Sequence, residues 1–290
     1  MKLSVLASSA NLGCGYDTLG IGLNLVNEFA IDHAPEDTLI GEERDLSTHM
    51  VFTTRNLACS MLGLSPKPFV LKVNAQIPEA GGLGSSATCI LAGVVAALYL
   101  NDKPLDEQII LETATRIEGH PDNVVPAYTG GLTAALGLEG KVLYQKFKVD
   151  DKLTFLTVIP PFEFETQGSR AAIPAMIRHT DAVSNLARVV LLTKALEKGD
   201  TTNLKDLFHD ELHQKYRLPL IGQIDPNYPS VFKYCSDHSE GTFLSGAGPT
   251  FISVVDDETA ARLMEELKIM VPGYRVLALK SNNGGAIVTE

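Results

Sequence analysis

The sequence has little of what several common protein classes require. Its four cysteines lie far apart without a C-x-x-C pair, which argues against a zinc site and against a disulfide framework. No uninterrupted apolar run reaches about 18 residues, and the N-terminus lacks a long apolar segment, so we expect neither a membrane span nor a signal peptide. Basic residues are also few, 24 Lys and Arg against 35 Asp and Glu. We therefore expect a soluble cytoplasmic protein with reduced thiols that binds neither nucleic acid nor membranes.

What is present is typical of a folded chain. The 290 residues are 45% hydrophobic and 20% charged, enough for one large or two medium domains. Alternating apolar and polar residues predict strands at 21–32 and 69–77, and helical spacing predicts helices at 48–62 and 105–118. The segment 85–100 is apolar on almost every side, which predicts a buried helix.

After residue 130 the pattern changes to short strands followed by a mixed segment. Strands are predicted at 132–136, 142–147 and 153–159, and two prolines then interrupt the pattern. The second half alternates helices at 182–198, 204–212, 229–237 and 257–267 with strands at 242–255, 274–280 and 285–289. We therefore predict an α+β fold with a boundary between 150 and 165.

A glycine- and serine-rich segment before the buried helix carries the strongest functional signal. Glycines let the backbone approach a ligand closely, and the first N–H groups of the following helix carry the positive end of its dipole. The segment therefore predicts a phosphate-binding loop in which a serine hydroxyl could also bind magnesium. Its residues are Pro78, Gly81, Gly82, Leu83, Gly84, Ser85, Ser86, Ala87 and Thr88. The alternative is an ordinary strand-to-helix turn with a serine cap.

Two other nucleotide-binding motifs compete for this segment. No lysine follows the glycines, so a Walker-type loop is excluded. The spacing Gly82-x-Gly84-x-x-Ala87 does match the dinucleotide-binding pattern G-x-G-x-x-A, with Asp102 near the offset of a ribose contact. The context argues against this match, because Asp102 lies between two predicted helices and not at the end of a second strand.

Polar residues also cluster in further segments. Asn11 and Asp17 lie in an N-terminal glycine loop, and a third glycine loop at 245–250 interrupts a strand pattern, which marks a bulge or a close backbone approach. The remaining candidates are Glu118, His120, Asp122 and Asn123 at a predicted helix end, and the pairs Thr166-x-x-x-Arg170 and His213-x-x-x-Arg217. Each also has an ordinary interpretation as a turn, a helix cap or solvated surface charge.

Taken together, these segments resemble the superfamily of galactokinase, homoserine, mevalonate and phosphomevalonate kinases (GHMP kinases). The N-terminal loop, Pro78-x-x-x-Gly-Leu-Gly-Ser-Ser-Ala87 and Ser245-Gly-Ala-Gly-Pro249 resemble its three motifs, in order and across nearly the whole chain. Segments 10–17, 119–126, 166–174 and 213–217 are similar to those of homoserine kinases in particular. One departure is that Gly119 meets His120 directly, whereas many members carry a longer insertion there.

The resemblance implies a two-domain fold with the site between the domains. Residues 1–155 would form an ATP-binding domain like ribosomal protein S5 domain 2, and 156–290 a ferredoxin-like domain. The implied reaction is ATP-dependent phosphorylation of L-homoserine, the step leading to threonine, by a homodimer. Residues 78–88 would wrap the ATP phosphates, and Ser86 and Glu118 would hold Mg²⁺.

The resemblance also assigns roles to the other polar residues. Asn11, Asp17, His120, Arg170 and Arg217 would bind the amino acid, while the catalytic set would be Glu118, Asn123 near the hydroxyl and Thr166 near the transferred phosphoryl group. The chemistry is compatible, because Asp17 can pair with an ammonium and the two arginines with a carboxylate. No lysine lies beside Asp17, so we expect phosphoryl transfer without a dedicated strong base.

Three alternatives stay open from the sequence. They are another alcohol kinase of the same superfamily, such as a mevalonate-type enzyme, a nicotinamide-dependent oxidoreductase that uses Gly82 to Ala87, and a catalytically silent nucleotide or amino-acid sensor. ADP formation from ATP in the presence of homoserine would separate a homoserine kinase from the last two.

Overall fold

The computed structural model describes residues 1–41, 44–79, 81–164 and 166–289, without the side chains of residues 166 and 167. Within these ranges the chain forms a seven-stranded and a four-stranded sheet together with ten α-helices, and the predicted α+β class is confirmed. The strands are β1 (Lys2–Ala10), β2 (Leu19–His33), β3 (Thr38–Ile40), β4 (Phe69–Ala75), β5 (Leu132–Leu138), β6 (Lys141–Phe147), β7 (Thr154–Ile159), β8 (Gly241–Leu244), β9 (Phe251–Val255), β10 (Arg275–Leu279) and β11 (Ile287–Thr289).

The helices cover both halves of the chain. They are α1 (Met50–Leu62), α2 (Ser85–Leu100), α3 (Glu107–Glu118), α4 (Pro121–Thr129), α5 (Thr166–Ala171), α6 (His179–Lys198), α7 (Leu204–Leu207), α8 (Gln214–Ile224), α9 (Tyr228–Asp237) and α10 (Asp257–Met270). The predicted helices at 48–62, 85–100 and 105–118 are confirmed as α1, α2 and α3.

The first sheet and helices α1 to α4 share one apolar core. Its main path runs β11–β1–β2–β4–β3, and β5 joins β2 to β6. Helix α2 is buried along most of its length, as its uniformly apolar sequence predicts, and it packs against α1. Gly93 permits this contact, because a Cβ there would overlap the side chain of Thr54. The core thus fixes the position of α2, and the glycine- and serine-rich loop leads into the first turn of this helix.

The second sheet has the order β10–β7–β9–β8, with every pair antiparallel. In chain order these are its fourth, first, third and second strands, with helices between the first and second and between the third and fourth. This is the β-α-β-β-α-β arrangement of a ferredoxin-like unit. A further core cluster joins the two halves, because it contains Leu12 and Leu83 together with Phe208 and Phe243.

The second half differs from the sequence prediction at α7, at α8 and in the strand predicted at 242–255. The helix predicted at 204–212 is only the single turn α7, and the sequence pattern does not predict α8 because Pro219 interrupts it. Burial of Arg217 and Ile221 stabilises α8 despite this proline. The strand predicted at 242–255 is two strands, β8 and β9, separated by the third glycine loop.

The division into residues 1–155 and 156–290 stays a prediction. The second sheet begins with β7, close to the predicted boundary, whereas β11 at the other end of the chain pairs with β1 in the first sheet. Within the described residues, no helix combines the length and the apolar character needed to cross a bilayer.

Candidate active site

Three glycine loops and three helix starts meet in one cleft of about 250 Å³. The cleft lies between the two halves, since β1 ends in it and the loop from β8 to β9 forms another part of its wall. Its lining contains these residues proposed from the sequence: Asn11, Asp17, Gly81, Gly82, Gly84, Ser85, Ser86, Glu118, His120, Asn123, Arg170 and Arg217. Residues more than 200 positions apart are therefore brought together.

The glycine- and serine-rich loop presents the start of α2 to the cleft. Gly82 and Gly84 have φ values of 81° and 69°, in the left-handed region that glycine tolerates best. Gly84 is the N-cap of α2, so the free N–H groups of the first turn and the positive end of the helix dipole lie beside the cleft. A Cβ on Gly84 would collide with Ser8 Oγ, which shows that close backbone packing, and not only ligand access, requires glycine here.

Four described residues of the predicted loop lie outside the cleft lining: Pro78, Leu83, Ala87 and Thr88. Leu83 and Ala87 are fully buried in the core. Thr88 Oγ1 accepts a hydrogen bond from Asn27 Nδ2 at 3.0 Å and donates one to the carbonyl of Ser85 at 2.8 Å. The Thr88 hydroxyl is thus engaged in packing α2 against β2.

Ser86 and Glu118 face each other from α2 and α3. Ser86 Oγ donates a hydrogen bond to Glu118 Oε2 at 3.1 Å, and both residues line the cleft. Burial raises the pKa of Glu118 above its ordinary value, because a buried carboxylate lacks the solvation of an exposed one. Among the described residues, no group of three or more His, Cys, Asp or Glu side chains forms a metal site on its own.

His120 and Asp122 form a hydrogen-bonded pair at the start of α4. His120 Nδ1 lies 2.5 Å from Asp122 Oδ1, and Asp122 is almost completely buried. This hydrogen bond raises the pKa of His120. The next residue, Asn123, accepts a hydrogen bond from Ser8 Oγ at 3.0 Å, so the end of β1 orients its side chain toward the cleft.

The side chain of Asn11 stabilises the N-terminal loop, in which Asn11 and Asp17 have left-handed backbone conformations. Asn11 and Asp17 have φ values of 73° and 52°. Asn11 Oδ1 accepts from the backbone N–H of Asp17 at 2.9 Å, while its Nδ2 donates to the carbonyl of Gly246 at 2.9 Å. Asn11 therefore shapes the loop and ties it to the third glycine loop, and Asp17 projects to the cleft, where it forms an ion pair with Arg170.

The two arginines predicted from the sequence both lie close to one aromatic ring. The guanidinium carbons of Arg170 and Arg217 are 5.6 and 5.3 Å from the centroid of the Tyr16 ring. Arg217 is only 2% exposed although it lines the cleft. A buried guanidinium next to a polar cleft is a candidate for anion binding, because its desolvation must be offset by a negative partner.

Sequence reasoning gives no role to several residues of this site. The cleft lining also contains Asp122, Glu163, Phe164 and residues 246–248. Tyr16 contacts Arg170, which lines the cleft. The sequence does offer a signal for two of these residues. Tyr16 is an aromatic residue directly before Asp17, and Asp122 is an acidic residue between His120 and Asn123. Thr166 begins α5, but its side chain lies outside what the structure describes.

Comparison with known proteins gives consistent results for both halves of the chain. Residues 49–131 match the family model of the GHMP kinases N terminal domain, and residues 192–273 match that of the GHMP kinases C terminal domain. Homoserine kinase from Clostridium botulinum is 33% identical over 297 aligned positions, covering 100% of this chain and 99% of that protein.

Solved structures agree with these matches. The homoserine kinase from Cytophaga hutchinsonii superposes with a TM-score of 0.85 at 24% identity, over 100% of this chain and 97% of the other. A putative homoserine kinase from Listeria monocytogenes gives 0.81 at 25% identity, over 100% and 99%.

Proposed function

The chain belongs to the homoserine kinases of the GHMP kinase family, and from this premise we propose that it transfers the γ-phosphoryl group of ATP to the side-chain hydroxyl of L-homoserine. One observation carries the proposal: an acid and two arginines lie in the same cleft as a glycine-capped helix start. The acid and the two arginines suit a zwitterionic amino acid, and the helix start suits phosphate. The product of this reaction, O-phospho-L-homoserine, leads to threonine.

The amino-acid part of the substrate is assigned to the N-terminal loop and the second half of the chain. We assign the ammonium group to Asp17 and the carboxylate to Arg170 and Arg217, with Asn11 and His120 completing the pocket. Homoserine carries both charges on one carbon and its hydroxyl two carbons further along the side chain. Fixing both charges therefore leaves only limited positions for the hydroxyl, which is how positioning contributes to phosphoryl transfer.

The phosphate part is assigned to residues 78–88. The N–H groups of the first turn of α2 and the hydroxyls of Ser85 and Ser86 would contact the ATP phosphates. Leu83, Ala87 and Thr88 would contribute by holding this turn in place, since their side chains are buried. Use of ATP follows from the family, whereas the individual contacts are proposals.

A magnesium ion fits the oxygen atoms beside this turn. Ser86 Oγ and Glu118 Oε2 are 3.1 Å apart, next to the helix start assigned to phosphate. Hard oxygen ligands in small number, completed by phosphate and water, are what Mg²⁺ prefers. We therefore propose Ser86 and Glu118 as its ligands; when bound, the ion would offset negative charge on the phosphates. A cation nearby would also favour the ionised form of Glu118.

The catalytic residues are proposed to position groups and not to remove a proton. Asn123 would contact the hydroxyl of homoserine and Thr166 the transferred phosphoryl group. Asp122 raises the pKa of His120, which favours a protonated, positively charged imidazole in the cleft. A protonated imidazole cannot accept the hydroxyl proton. Its positive charge can instead stabilise negative charge on the phosphoryl group and on the amino acid.

The alternatives considered from the sequence are not favoured. The matched relatives carry the name homoserine kinase, and solved mevalonate kinases share the fold at 15–16% identity only. The dinucleotide-binding interpretation of Gly82 to Ala87 also needs a second strand that ends near Asp102, and Asp102 instead follows α2. Two further proposals are a homodimer, which the resemblance implies, and a cytoplasmic location, which the sequence composition predicts.

The proposal is tested with a coupled assay of ADP formation. Purified protein is offered ATP and Mg²⁺ with homoserine, mevalonate, galactose or shikimate as acceptor. We expect ADP with homoserine at a rate far above the others, together with O-phosphohomoserine as product. ADP formation that does not depend on homoserine, or that prefers another alcohol, would refute the proposal.

A further inference from the structure

His213 and Arg217 lie one helical turn apart at the start of α8, and both are almost inaccessible to solvent, at 0% and 2% exposure. The proposed function assigns the substrate carboxylate to Arg217 but gives His213 no role. Their contacts nevertheless join them into one unit with the N-terminal loop.

The hydrogen bonds of His213 define its protonation state. Nε2 lies 2.9 Å from the carbonyl oxygen of Gly13, which can only accept, so Nε2 carries a hydrogen. Nδ1 lies 3.1 Å from Nη1 of Arg217, which can only donate, so Nδ1 presents a lone pair. The imidazole is therefore neutral, and burial lowers the pKa of His213 in the same sense.

The contacts of Arg217 leave one edge of its guanidinium for a ligand. Nη1 donates to His213 Nδ1 and to the carbonyl of Gly246, both at 3.1 Å. The guanidinium of Arg217 lies over the Tyr16 ring, and the same ring stacks on His213 with 5.2 Å between the ring centroids. Arg217 Nε is buried without a hydrogen-bond partner among the described residues. The edge that contains Nε is one that can bind a carboxylate through two parallel hydrogen bonds.

The backbone at His213 is held by Asp210, whose Oδ2 also lies 3.7 Å from His213 Nε2. Asp210 Oδ2 accepts from the backbone N–H groups of His213 and Gln214, each at 2.7 Å. Asp210 Oδ1 is in turn held by Asn185 Nδ2 of α6 at 2.8 Å. The start of α8 is therefore capped by Asp210, and a change of the side chain at position 213 leaves these bonds in place.

From this geometry we propose that neutral His213 is a positioning residue: its Nδ1 lone pair fixes Nη1 of Arg217, so that the Nε edge faces the carboxylate of the amino-acid substrate. The proposal rests on the proposed function, since it needs a substrate carboxylate at Arg217. Its physical basis is that an unanchored guanidinium would have to be ordered each time the substrate binds, at a cost to affinity.

Two substitutions separate the acceptor of His213 from its donor. His213→Asn places an amide oxygen where Nδ1 stands and keeps the bond to Arg217, but loses the bond to Gly13. His213→Gln places an amide nitrogen where Nε2 stands and keeps the bond to Gly13, but loses the acceptor for Arg217. His209→Asn, an exposed histidine paired with Glu211, is the matched control.

The readout is the KM for homoserine against the KM for ATP and kcat, with thermal unfolding as a check of folding. For His213→Gln we expect the KM for homoserine to rise about 10-fold, with the KM for ATP and kcat within about 2-fold of the parent. His213→Asn and His209→Asn should keep a parent-like KM for homoserine, even if His213→Asn unfolds at a lower temperature.

Other results would overturn the proposal, each in a recognisable way. A parent protein that makes no ADP with homoserine refutes the proposed function and this inference with it. With an active parent, an unchanged KM in His213→Gln, or an equal rise in both variants, refutes the positioning role alone. If His213→Gln does not fold, His213→Asn decides: a parent-like KM supports the role and a raised one refutes it. Loss of folding in both variants shows a structural role and also refutes it.

Discussion

Arg170 and Asp17 bind each other through two parallel hydrogen bonds, Nη1 to Oδ2 at 2.9 Å and Nη2 to Oδ1 at 2.8 Å. The pair joins α5 to the N-terminal loop, and in it each side chain neutralises the other. We assign both side chains to the charged groups of the substrate. A zwitterion can replace both halves of this ion pair at once. A substrate with a single charge, such as mevalonate, would leave one partner without its counter-charge, so the pair itself would favour amino acids.

The first prediction concerns the shape of the Arg170 side chain. Arg170→Lys should behave almost like Arg170→Ala, because an ammonium cannot reproduce two parallel hydrogen bonds. Each variant should lose about 2 kcal/mol of transition-state binding, mainly as a raised KM for homoserine, with the KM for ATP little changed. Steady-state kinetics with each substrate varied in turn measures this.

Arg262→Lys is the matched control for that substitution, because Arg262 pairs with Glu266 on the outer surface of α10. It should leave both KM values unchanged. If Arg170→Lys raises the KM for ATP as much as that for homoserine, Arg170 contacts the nucleotide phosphates and the proposed substrate orientation is wrong.

The second prediction tests the proposed magnesium ligands. Ser86→Ala and Glu118→Gln should each lower kcat by about 10²-fold and shift the magnesium titration to higher concentration, because the first removes an oxygen ligand and the second removes the negative charge of one. Glu112→Gln, on the same helix but bonded to Gln108 at the surface, is the control and should have no such effect. A magnesium titration that is unchanged in both site variants would contradict the assignment.

The third prediction concerns Gly84. Gly84→Ala should lower the free energy of unfolding by about 1–2 kcal/mol from its left-handed backbone alone, and by more because the added Cβ meets Ser8 Oγ. Binding of a non-hydrolysable ATP analogue should weaken as well, since the start of α2 must shift. Adding Ser8→Ala should recover part of the stability, and a double variant no more stable than Gly84→Ala would show that this contact is not the cause.

Much of the site could be predicted from the sequence because its residues stand in short motifs. The glycine and serine loop, the His-x-Asp-Asn segment and the first glycine loop each encode their local backbone, and α2 has an unmistakable apolar pattern. A local pattern also predicts which residues begin a helix, so Ser85 and Ser86 can be assigned to a helix start from their neighbours in the chain alone.

Other features depend on contacts that no local pattern encodes. The ion pair of Arg170 with Asp17 joins residues 153 positions apart. Helix α8 continues through Pro219 because Arg217 and Ile221 are buried. Sequence reasoning also treats Gly84 only as space for a ligand, whereas its neighbour in the fold is Ser8. The return of β11 to β1 likewise follows from pairing between the two ends of the chain.

The fourth prediction is a dependence of stability on pH. The bond to Asp122 raises the pKa of His120 in the folded state above its ordinary value. Protonated His120 therefore stabilises the fold fully below its unfolded pKa of about 6.5, and this contribution is lost as pH rises through the higher folded pKa. The destabilisation caused by His120→Gln should be larger at acidic than at alkaline pH. His209→Gln is the control, and a pH-independent difference for His120→Gln would contradict the prediction.

The last prediction separates a positioning role of His120 from a role as catalytic base. A base must be unprotonated, so it would produce an acidic limb in the pH dependence of kcat, and His120→Asn would abolish that limb. Because Asp122 favours the protonated imidazole, we expect His120→Asn to raise the KM for homoserine and to lower kcat by a factor that is constant below the folded pKa of His120 and that becomes smaller above it. Turnover of parent and variant is measured at saturating homoserine across the pH range in which both remain folded. An acidic limb that is present in the parent and absent in the variant would make His120 the base, and the mechanism proposed here would then be wrong.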